Sequence, residues 1–440
     1  MASTVLSRTQ ANGTSSRIFT ASIWFKRSPV TNVGNQPIWS SSSSTGDALD
    51  LLLAGNGEIN FEDVNGNAPK FVTTRKLRDP SAWYHVVVAV DSTQATDTNR
   101  VKIYLNGVQE TVFGTANYPT QNMDFAISTS ADTMKFGSGG QGPSNYFNGL
   151  MSYVAFVDGT AYDASYFGEV DSASGIWKIN TSPSVTYGTN GCFLKMDTSS
   201  PGSDTSGNNN TFTASGTPTL AEDNASNNLA TLNPLNAYYT NSTFSNGNTT
   251  FASGNSSSGT VGNILLNTGK WYWEVKAVSK AGGGDNYAIG IQGQEATGTN
   301  QFPGDQSTGW MFYGGGNYYN NGSGTSAGVT YTAGDIIGVA LDCTNNKLYF
   351  SKNGTFILSG NPSTGANGIS ITAPASVTLG GYYPSQTFWE NSTSGTFSMN
   401  FGNGFFGVTA VASSNADAAG HGLFEYAVPT GFFTLNTKNL

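Results

Sequence analysis

The chain has 440 residues, of which 28 are acidic and 19 basic, a formal net charge of −9, while 12% are aromatic and 55 are glycine. This length exceeds that of one ordinary domain, and the low charged fraction of 11% excludes a charge-rich disordered protein. No cluster of Lys and Arg provides the positive surface that neutralises phosphates, so we expect no nucleic-acid binding.

No stretch of the sequence reaches the roughly twenty consecutive apolar residues that cross a bilayer. Residues 1–20 hold no apolar core of signal-peptide length. The two cysteines, Cys192 and Cys343, fall in what we predict to be different domains, so no disulfide framework is expected. We therefore expect a chain that folds in a cytosol and does not insert into a membrane.

In the first half of the chain, short segments rich in β-branched and aromatic residues predict strands at 19–25, 84–90 and 101–105. The last of these is followed by Asn106-Gly107. Both residues of a type I′ turn need positive φ, which Asn tolerates and Gly adopts freely, so this pair predicts a tight hairpin.

The composition changes between residues 199 and 243, where Gly, Ser, Asn and Pro replace most apolar residues. Too few apolar side chains remain there to build a core, although 211–213 predicts one short strand. We predict a connector at 199–243 between domains at 1–198 and 244–440.

The second half repeats the strand pattern at 270–278, 336–342 and 347–351, and Asn353-Gly354 predicts another hairpin. Helical periodicity is nearly absent because Gly, Asn, Ser and Thr recur every few residues. The sequence therefore predicts an all-β protein with two antiparallel β-sandwich, jelly-roll-like domains in tandem. Four tryptophans on these strands are expected in the cores: Trp24, Trp83, Trp271 and Trp273.

Three segments of the first domain resemble the laminin G / concanavalin A-like family: 83–91, 101–107 and 146–156. Four ordered segments of the second domain resemble a SPRY module: 269–275, 287–291, 334–342 and 347–354. The second resemblance implies a sandwich whose loops bind other proteins. The tandem, with the linking segment 232–235 and the closing segment 429–437, resembles virion-associated proteins of phages from aquatic environments.

No constellation for catalysis stands out. The only histidines, His85 and His421, lie in different predicted domains, and His85 is expected to be a structural residue of a strand. Glu58 and Glu62 share a strand face, but four residues of strand separate them by about 13 Å, too far for the paired carboxylates of a glycoside hydrolase. We expect no enzyme, although a carboxylate partner from another strand is left open.

We expect no cofactor. The loop 91–97 supplies oxygen atoms that could hold a calcium ion at the sandwich rim, but it lacks the alternation and closing Glu of a dedicated calcium loop. A simple loop is the preferred interpretation, and a bound ion stays open.

Aromatic side chains in polar loops are the candidate ligand-binding residues. Tyr318, Tyr319 and Asn320 lie in a Gly- and Asn-rich stretch, and Trp389 and Asn391 lie in a second polar stretch. Aromatic faces stack on sugars or on partner side chains, while the amides bond hydroxyl groups. The alternative is that the rings fold back over the sandwich edge.

From the resemblance we predict a non-enzymatic virion appendage, a tail or head fibre component on the external surface of the particle, made in the host cytoplasm. Its partners are predicted to be other virion proteins and a host-surface glycan or protein, in a homotrimer that gains from multivalency. The alternative is a capsid-decorating or connector protein that binds only other virion proteins.

Overall fold

The structure, a computed structural model, describes residues 4–28, 34–43, 46–64, 69–140, 146–172, 174–196, 200–238, 242–254, 257–281, 286–294, 302–388 and 394–440, and all counts below refer to these residues. The chain divides into two compact units. The first comprises Met1–Leu220 with Asn224–Ser226, and the second comprises Ala221–Asp223 with Asn227–Leu440.

Sixteen strands form the first unit. They are β1 (Val5–Thr9), β2 (Ile18–Arg27), β3 (Gln36–Ser42), β4 (Ala48–Leu53), β5 (Ile59–Asp63), β6 (Lys70–Thr73), β7 (Tyr84–Asp91), β8 (Val101–Leu105), β9 (Val108–Gln109), β10 (Phe113–Asn117), β11 (Thr133–Phe136), β12 (Gly149–Asp158), β13 (Gly168–Val170), β14 (Trp177–Ile179), β15 (Cys192–Leu194) and β16 (Thr213–Ser215).

Two antiparallel sheets build the first sandwich. One has eight strands in the order β10-β6-β5-β4-β3-β11-β1-β16, and the other has six in the order β15-β12-β2-β7-β8-β9. Alternate residues of each strand point inward because successive side chains of a strand face opposite sides. Leu49, Leu51 and Leu53 on β4 meet Val86 and Val88 on β7 in one buried apolar core.

Eighteen strands form the second unit. They are β17 (Leu232–Tyr238), β18 (Ser242–Ser245), β19 (Thr250–Ser253), β20 (Ser258–Gly262), β21 (Lys270–Ala281), β22 (Tyr287–Gln292), β23 (Gly309–Tyr313), β24 (Asn317–Asn320), β25 (Ser323–Ser326), β26 (Ile336–Asp342), β27 (Lys347–Lys352), β28 (Thr355–Phe356), β29 (Ile369–Ser370), β30 (Tyr383–Phe388), β31 (Ser394–Asn400), β32 (Phe405–Phe406), β33 (Thr409–Ala410) and β34 (Phe433–Thr434).

The second unit is also a sandwich. A seven-stranded sheet runs in the order β17-β20-β30-β22-β23-β24-β25, and it faces a sheet with the path β18-β19-β31-β21-β26-β27-β28, to which β29 and β34 add. Its core includes Trp273 and Ile337 from one sheet and Ile289 and Phe312 from the other. The helical content is five single 3₁₀ turns: Asp97–Asn99, Ala164–Tyr166, Pro303–Asp305, Ile357–Ser359 and Pro374–Ser376.

The structure confirms the all-β prediction and the predicted strands. The predicted strand 336–342 coincides with β26, and 84–90 lies within β7. Both predicted Asn-Gly turns adopt positive φ at both residues, 48° and 80° at Asn106-Gly107 and 47° and 81° at Asn353-Gly354. Four tryptophans expected to be buried are buried: Trp24, Trp83, Trp271 and Trp273.

The boundary between the units falls near residues 220–227, within the range 199–243 for which we predict a connector. Around the short strand expected at 211–213, the structure forms β16, which pairs with β1 of the first sandwich. Further along, β17 pairs with β20 of the second sandwich. Among the described residues, no helix is long and apolar enough to cross a membrane.

Candidate functional site

The predicted tyrosine site lies at one edge of the seven-stranded sheet of the second unit. The sequence predicts a loop there, but Asn317–Asn320 forms β24, which hydrogen-bonds to β23 on one side and β25 on the other. Tyr319 is in register with Met311, and Tyr318 is in register with Phe312. Because neighbours along a strand face opposite sides, the two tyrosines lie on different faces of the sheet.

Tyr319 belongs to a row of three aromatic rings on the outer face of this sheet, which we call the aromatic row: Phe302, Tyr313 and Tyr319. The ring centroids of Phe302 and Tyr313 are 4.9 Å apart, and those of Tyr313 and Tyr319 are 4.5 Å apart. Phe302 is buried against Ala288 and Met311 and anchors the row, whereas Tyr313 and Tyr319 are half-buried. The row therefore presents two partly accessible rings on the outer face of the sheet.

Tyr318 points to the inner face, where it packs against the buried core of the sandwich. Its side chain is partly buried, as is that of Tyr319. Of the two tyrosines in the predicted site, Tyr319 thus joins an outer surface and Tyr318 supports the sheet from within.

Asn320 holds a neighbouring turn in place. Its side-chain amide donates to the carbonyl oxygens of Gln306 (3.3 Å), Ser307 (3.1 Å) and Gly309 (2.9 Å). This turn follows Phe302, so Asn320 fixes the segment that brings Phe302 to the aromatic row. The other two residues of the predicted site, Trp389 and Asn391, lie outside the described residues.

The ring of Tyr319 extends over the last strand of the sheet. A methyl group at Gly324 of β25 would come within 2.9 Å of Tyr319 Cε1 and Cζ and within 3.2 Å of its hydroxyl oxygen. The absence of a side chain at Gly324 leaves room for the Tyr319 ring against β25. All four residues of β25, Ser323–Ser326, are exposed.

Three parts of this surface are absent from the sequence prediction: Phe302, Tyr313 and β25. The pair Asn321-Gly322, with φ of 51° and 71°, makes the same kind of turn as the two predicted Asn-Gly hairpins. The Asn-Gly dipeptide is therefore the sequence signal that indicates the β24–β25 hairpin. Phe302 is brought to the row by tertiary packing and has no local signal.

Two carboxyl groups of the first unit face each other across a ladder. Asp50 on β4 is directly opposite Glu62 on β5, which forms an ion pair with Lys70 (2.8 Å). Asp50 is buried and accepts a hydrogen bond from the N–H of Gly140 (3.0 Å), and burial raises its pKa to about 6. A methyl group at Gly140 would lie 3.2 Å from Asp50 Oδ1, so the backbone covers this carboxyl group.

Each of the two carboxylates considered from the sequence, Glu58 and Glu62, forms an ion pair with a lysine. Glu58 lies 3.6 Å from the ammonium group of Lys76, and Glu62 pairs with Lys70. The sequence did not indicate Asp50, because its relation to Glu62 depends on the register of two strands.

His85 is fully buried in the first unit and contacts two indole rings. Its ring stacks on Trp24 at a centroid distance of 4.5 Å, and the ring of Trp177, with its centroid 6.0 Å away and its plane tilted by 16°, lies beside it edge to edge. Trp177 Nε1 donates to His85 Nδ1 (3.0 Å), so Nε2 carries the proton and donates to the Ser22 hydroxyl oxygen (2.8 Å). Burial lowers the pKa of His85 to about 3, which keeps the ring neutral. The structural role expected from sequence fits these contacts.

Oxygen atoms of the loop considered for calcium already accept hydrogen bonds from neighbouring protein groups. The Arg100 guanidinium group donates to the carbonyl oxygens of Gln94 and Ala95, each at 2.8 Å. Asp91 accepts from the N–H and hydroxyl groups of Thr93. Across the described ranges, no group of three or more His, Cys, Asp and Glu side chains is arranged to hold a metal ion.

Comparison with known families identifies both units. Residues 3–164 match the model of the concanavalin A-like lectin/glucanases superfamily, and residues 270–400 match that of the SPRY domain. The chain therefore carries a concanavalin A-like domain followed by a SPRY domain, which confirms both domain resemblances seen in the sequence.

Curated relatives match part of this chain. Ran-binding protein 9 of Danio rerio is 36% identical over 89 residues, which are 20% of this chain and 14% of that protein. Ran-binding protein 10 of Danio rerio is 37% identical over 89 residues, with the same coverage. A Ran-binding proteins 9/10 homolog of Drosophila melanogaster is 32% identical over 93 residues, 21% of this chain and 10% of that protein. The chain thus spans a small part of these relatives.

Solved structures also resemble part of the chain. The SPRY domain of human HERC1 is 19% identical, with a TM-score of 0.30, and the match covers 38% of this chain and 96% of that chain. Stonustoxin is 17% identical, with a TM-score of 0.28, and the match covers 39% of this chain and 27% of that chain.

The comparisons contradict the predicted virion role. The curated relatives are Ran-binding proteins of animals and not virion proteins. The prediction of a tail or head appendage on the virion surface, its alternative as a capsid-decorating or connector protein, and the predicted partnership with virion proteins and a host receptor in a homotrimer are therefore wrong. They depended on the pairing of two modules, and a fold does not determine the biological setting in which it is used.

Proposed function

We propose that this pairing of a concanavalin A-like domain with a SPRY domain serves protein recognition without enzymatic activity, and that the SPRY unit binds its partner through the aromatic row. The observation that carries the proposal is the position of Tyr313 and Tyr319, two partly accessible rings in contact on the outer face of a hydrogen-bonded sheet. They lie within the SPRY match, and the relatives are named for binding a protein.

The chemistry of the row suits a protein partner. Tyrosine rings supply a large contact area at a small cost in side-chain entropy, and tyrosine is enriched among the residues that dominate protein interfaces. Phe302 and the hydrogen bonds from the Asn320 amide hold the row in position before a partner binds. Such preorganisation reduces the entropy lost on binding.

The arrangement of ionisable groups supports a role without catalysis. Asp50 is covered by backbone, Glu58 and Glu62 each form an ion pair with a lysine, and the neutral His85 is fully buried against the indole of Trp24. A general acid or base must be within hydrogen-bond reach of its substrate. These groups serve folding instead.

The first prediction concerns binding. The full chain is immobilised and tested against purified Ran, the partner named for the relatives, and against a protein microarray. We expect saturable binding to at least one protein. We expect that Tyr313→Ala combined with Tyr319→Ala weakens it at least about tenfold, because both accessible rings of the row are lost.

A matched control exists in the first unit. Tyr162 and Tyr166 are also in ring contact, with centroids 4.4 Å apart, and Tyr166 is partly exposed. Substituting both by alanine should leave binding unchanged, and Tyr319→Phe should retain most of it. Equal weakening by both double variants, or binding to a glycan array without binding to any protein, would contradict the proposal.

A further inference from the structure

The outermost strand of the SPRY unit's seven-stranded sheet has an open edge. β25 is paired with β24 and, within the described ranges, with no other strand. Its four residues are exposed and include no proline and no charged residue, and its register with β24 is regular. Natural sheets usually protect such edges because an exposed edge can pair with another chain.

The opposite edge of the same sheet is protected. The edge strand there, β17, contains Pro234, which has no N–H to donate, and its register with β20 is irregular between Leu232 and Ala237. Both features obstruct the addition of a further strand. The contrast makes β25 the accessible end of this sheet.

The backbone groups that β25 leaves open can be assigned. The two-residue turn Asn321-Gly322 makes Asn320 and Ser323 a hydrogen-bonded pair, and such pairs alternate along an antiparallel ladder. Ala327 continues the alternation, since its N–H donates to the carbonyl of Gly316 (2.8 Å). The N–H and C=O groups of Gly324 and Ser326 therefore point away from β24. They are one strand repeat apart, about 6.8 Å.

Tyr319 supplies a side-chain contact beside these backbone groups. Its ring lies on Gly324, with the hydroxyl oxygen 3.2 Å from the position a β-carbon would take there. A residue of an added strand that stands opposite Gly324 projects its side chain to the same outer face. An aromatic or long aliphatic side chain at that position meets the edge of the aromatic row.

We propose that β25 binds an extended peptide segment of a partner protein by strand addition, with hydrogen bonds to Gly324 and Ser326 and an apolar or aromatic peptide side chain against Tyr319. This inference rests on the proposed function and names the form of its ligand. Main-chain bonds supply affinity in such complexes, and the side-chain contact supplies selectivity. A second copy of the chain fits less well, because Ser323–Ser326 brings no apolar side chain to Tyr319.

Peptide selection and a proline substitution test the open edge of β25 directly. Random twelve-residue peptides displayed on yeast are selected on the immobilised full chain, and enriched peptides are synthesised with a fluorescent label. Ser326→Pro removes an outward N–H without removing a bond to β24, so it should weaken peptide binding at least about tenfold. Ser326→Ala, which keeps the N–H, should change binding by less than about twofold. Both variants should melt within a few degrees of the wild type.

Methylation of successive peptide backbone nitrogens provides a measurement independent of the protein's stability. Strand addition predicts that methylation weakens binding at every second residue and has little effect in between, because alternate N–H groups face β25. Equal effects at successive residues, or unchanged affinity in Ser326→Pro, would overturn strand addition. If either result excluded strand addition but Tyr319→Ala still abolished binding, the proposed function would stand without strand addition.

Failure of the peptide selection and self-association of the chain each have a distinct meaning. Failure to enrich any peptide, together with no binding in the protein microarray experiment, would count against the proposed function as well as this inference. Concentration-dependent dimerisation of the wild type in sedimentation velocity, lost in Ser326→Pro, would assign the edge to a second copy and overturn the peptide proposal.

Discussion

At the scale of single residues, the buried His85 contributes two hydrogen bonds to the first unit as a neutral imidazole. His85 accepts from Trp177 and donates to Ser22 while the indole of Trp24 covers one face of its ring. Trp177 in turn lies against Gly107, where a methyl group would come within 2.4 Å of the indole. The imidazole therefore links β2, β7 and β14 through contacts that a protonated ring would disrupt.

Replacing His85 by phenylalanine keeps an aromatic ring but leaves the Trp177 N–H and the Ser22 hydroxyl without their partner. We expect the free energy of unfolding of the first unit to fall by about 2–4 kcal/mol, measured by chemical denaturation. Adding Ser22→Ala to His85→Phe should recover part of this loss, because the orphaned hydroxyl is removed. An additive loss in the double variant would contradict the assigned hydrogen bonds.

The same variant has a pH signature. The pKa of His85 in the folded chain, about 3, is below its ordinary value of 6.5, so the unfolded chain binds more protons between these values. The free energy of unfolding therefore falls as pH drops from 6.5 towards 3, and His85→Phe should show a smaller fall.

At the scale of elements, a buried glutamate attaches the C-terminal segment to the central strand of its sheet. Glu274 on β21 accepts the N–H groups of Glu425 (2.9 Å) and Tyr426 (2.8 Å), the Tyr272 hydroxyl (3.1 Å) and the Asn400 amide (3.2 Å). Burial raises the pKa of Glu274 to about 7, although the hydrogen bonds oppose this. Four donors converge on one side chain that is fully buried.

Substituting glutamine for Glu274 turns an NH₂ group towards donors, and we expect it to lower the free energy of unfolding by about 2–4 kcal/mol. The folded chain binds more protons than the unfolded chain between pH 4.5 and about 7, so wild-type stability should fall as pH rises through this interval. Glu274→Gln should lack this slope in urea titrations across the interval. An unchanged slope would show that another group is responsible.

Strands and their turns were predictable from the sequence, whereas the pairs that matter chemically were not. The strand at 336–342 has a short apolar run, rich in β-branched residues and bounded by turn residues, that is typical of a buried strand. Tyr318 and Tyr319 sit between glycines and asparagines, so local propensity indicates a loop, and the ladder with β23 overrides it. The contact of Trp177 with His85 joins residues 92 apart in sequence, and no local pattern carries that information.

At the scale of the whole molecule, buried and partly buried carboxylates fix loops of both units through several hydrogen bonds each. Asp158, Asp204, Glu274 and Asp417 each accept four hydrogen bonds from other residues of their unit. Cys192 and Cys343 remain free thiols, each buried in a different unit. The chain thus holds two separate cores, each with one internal cysteine.

That arrangement allows the two units to be monitored separately by thiol labelling. Burial raises the pKa of Cys192 well above its ordinary value and that of Cys343 to about 12, and the thiolate is the reactive form, so both should be inert in the native chain. We expect His85→Phe to accelerate labelling of Cys192 alone and Glu274→Gln that of Cys343 alone, as measured by mass spectrometry of digested samples. Parallel acceleration at both thiols would indicate one cooperative folding unit.

The turn between β24 and β25 also contains an asparagine whose side chain can change chemically with time. The side chain of Asn321 has no hydrogen bond to any residue in the described ranges, and Gly322 follows it without a side chain to hinder attack on the amide. Asparagine is among the thermolabile residues, and hydrolysis of its side-chain amide consumes one water molecule, releases ammonia and leaves a carboxylate. A negative charge would then stand at the open edge of the sheet, the kind of residue with which natural sheets close their edges. Aged protein would gain the protection that the newly made chain lacks.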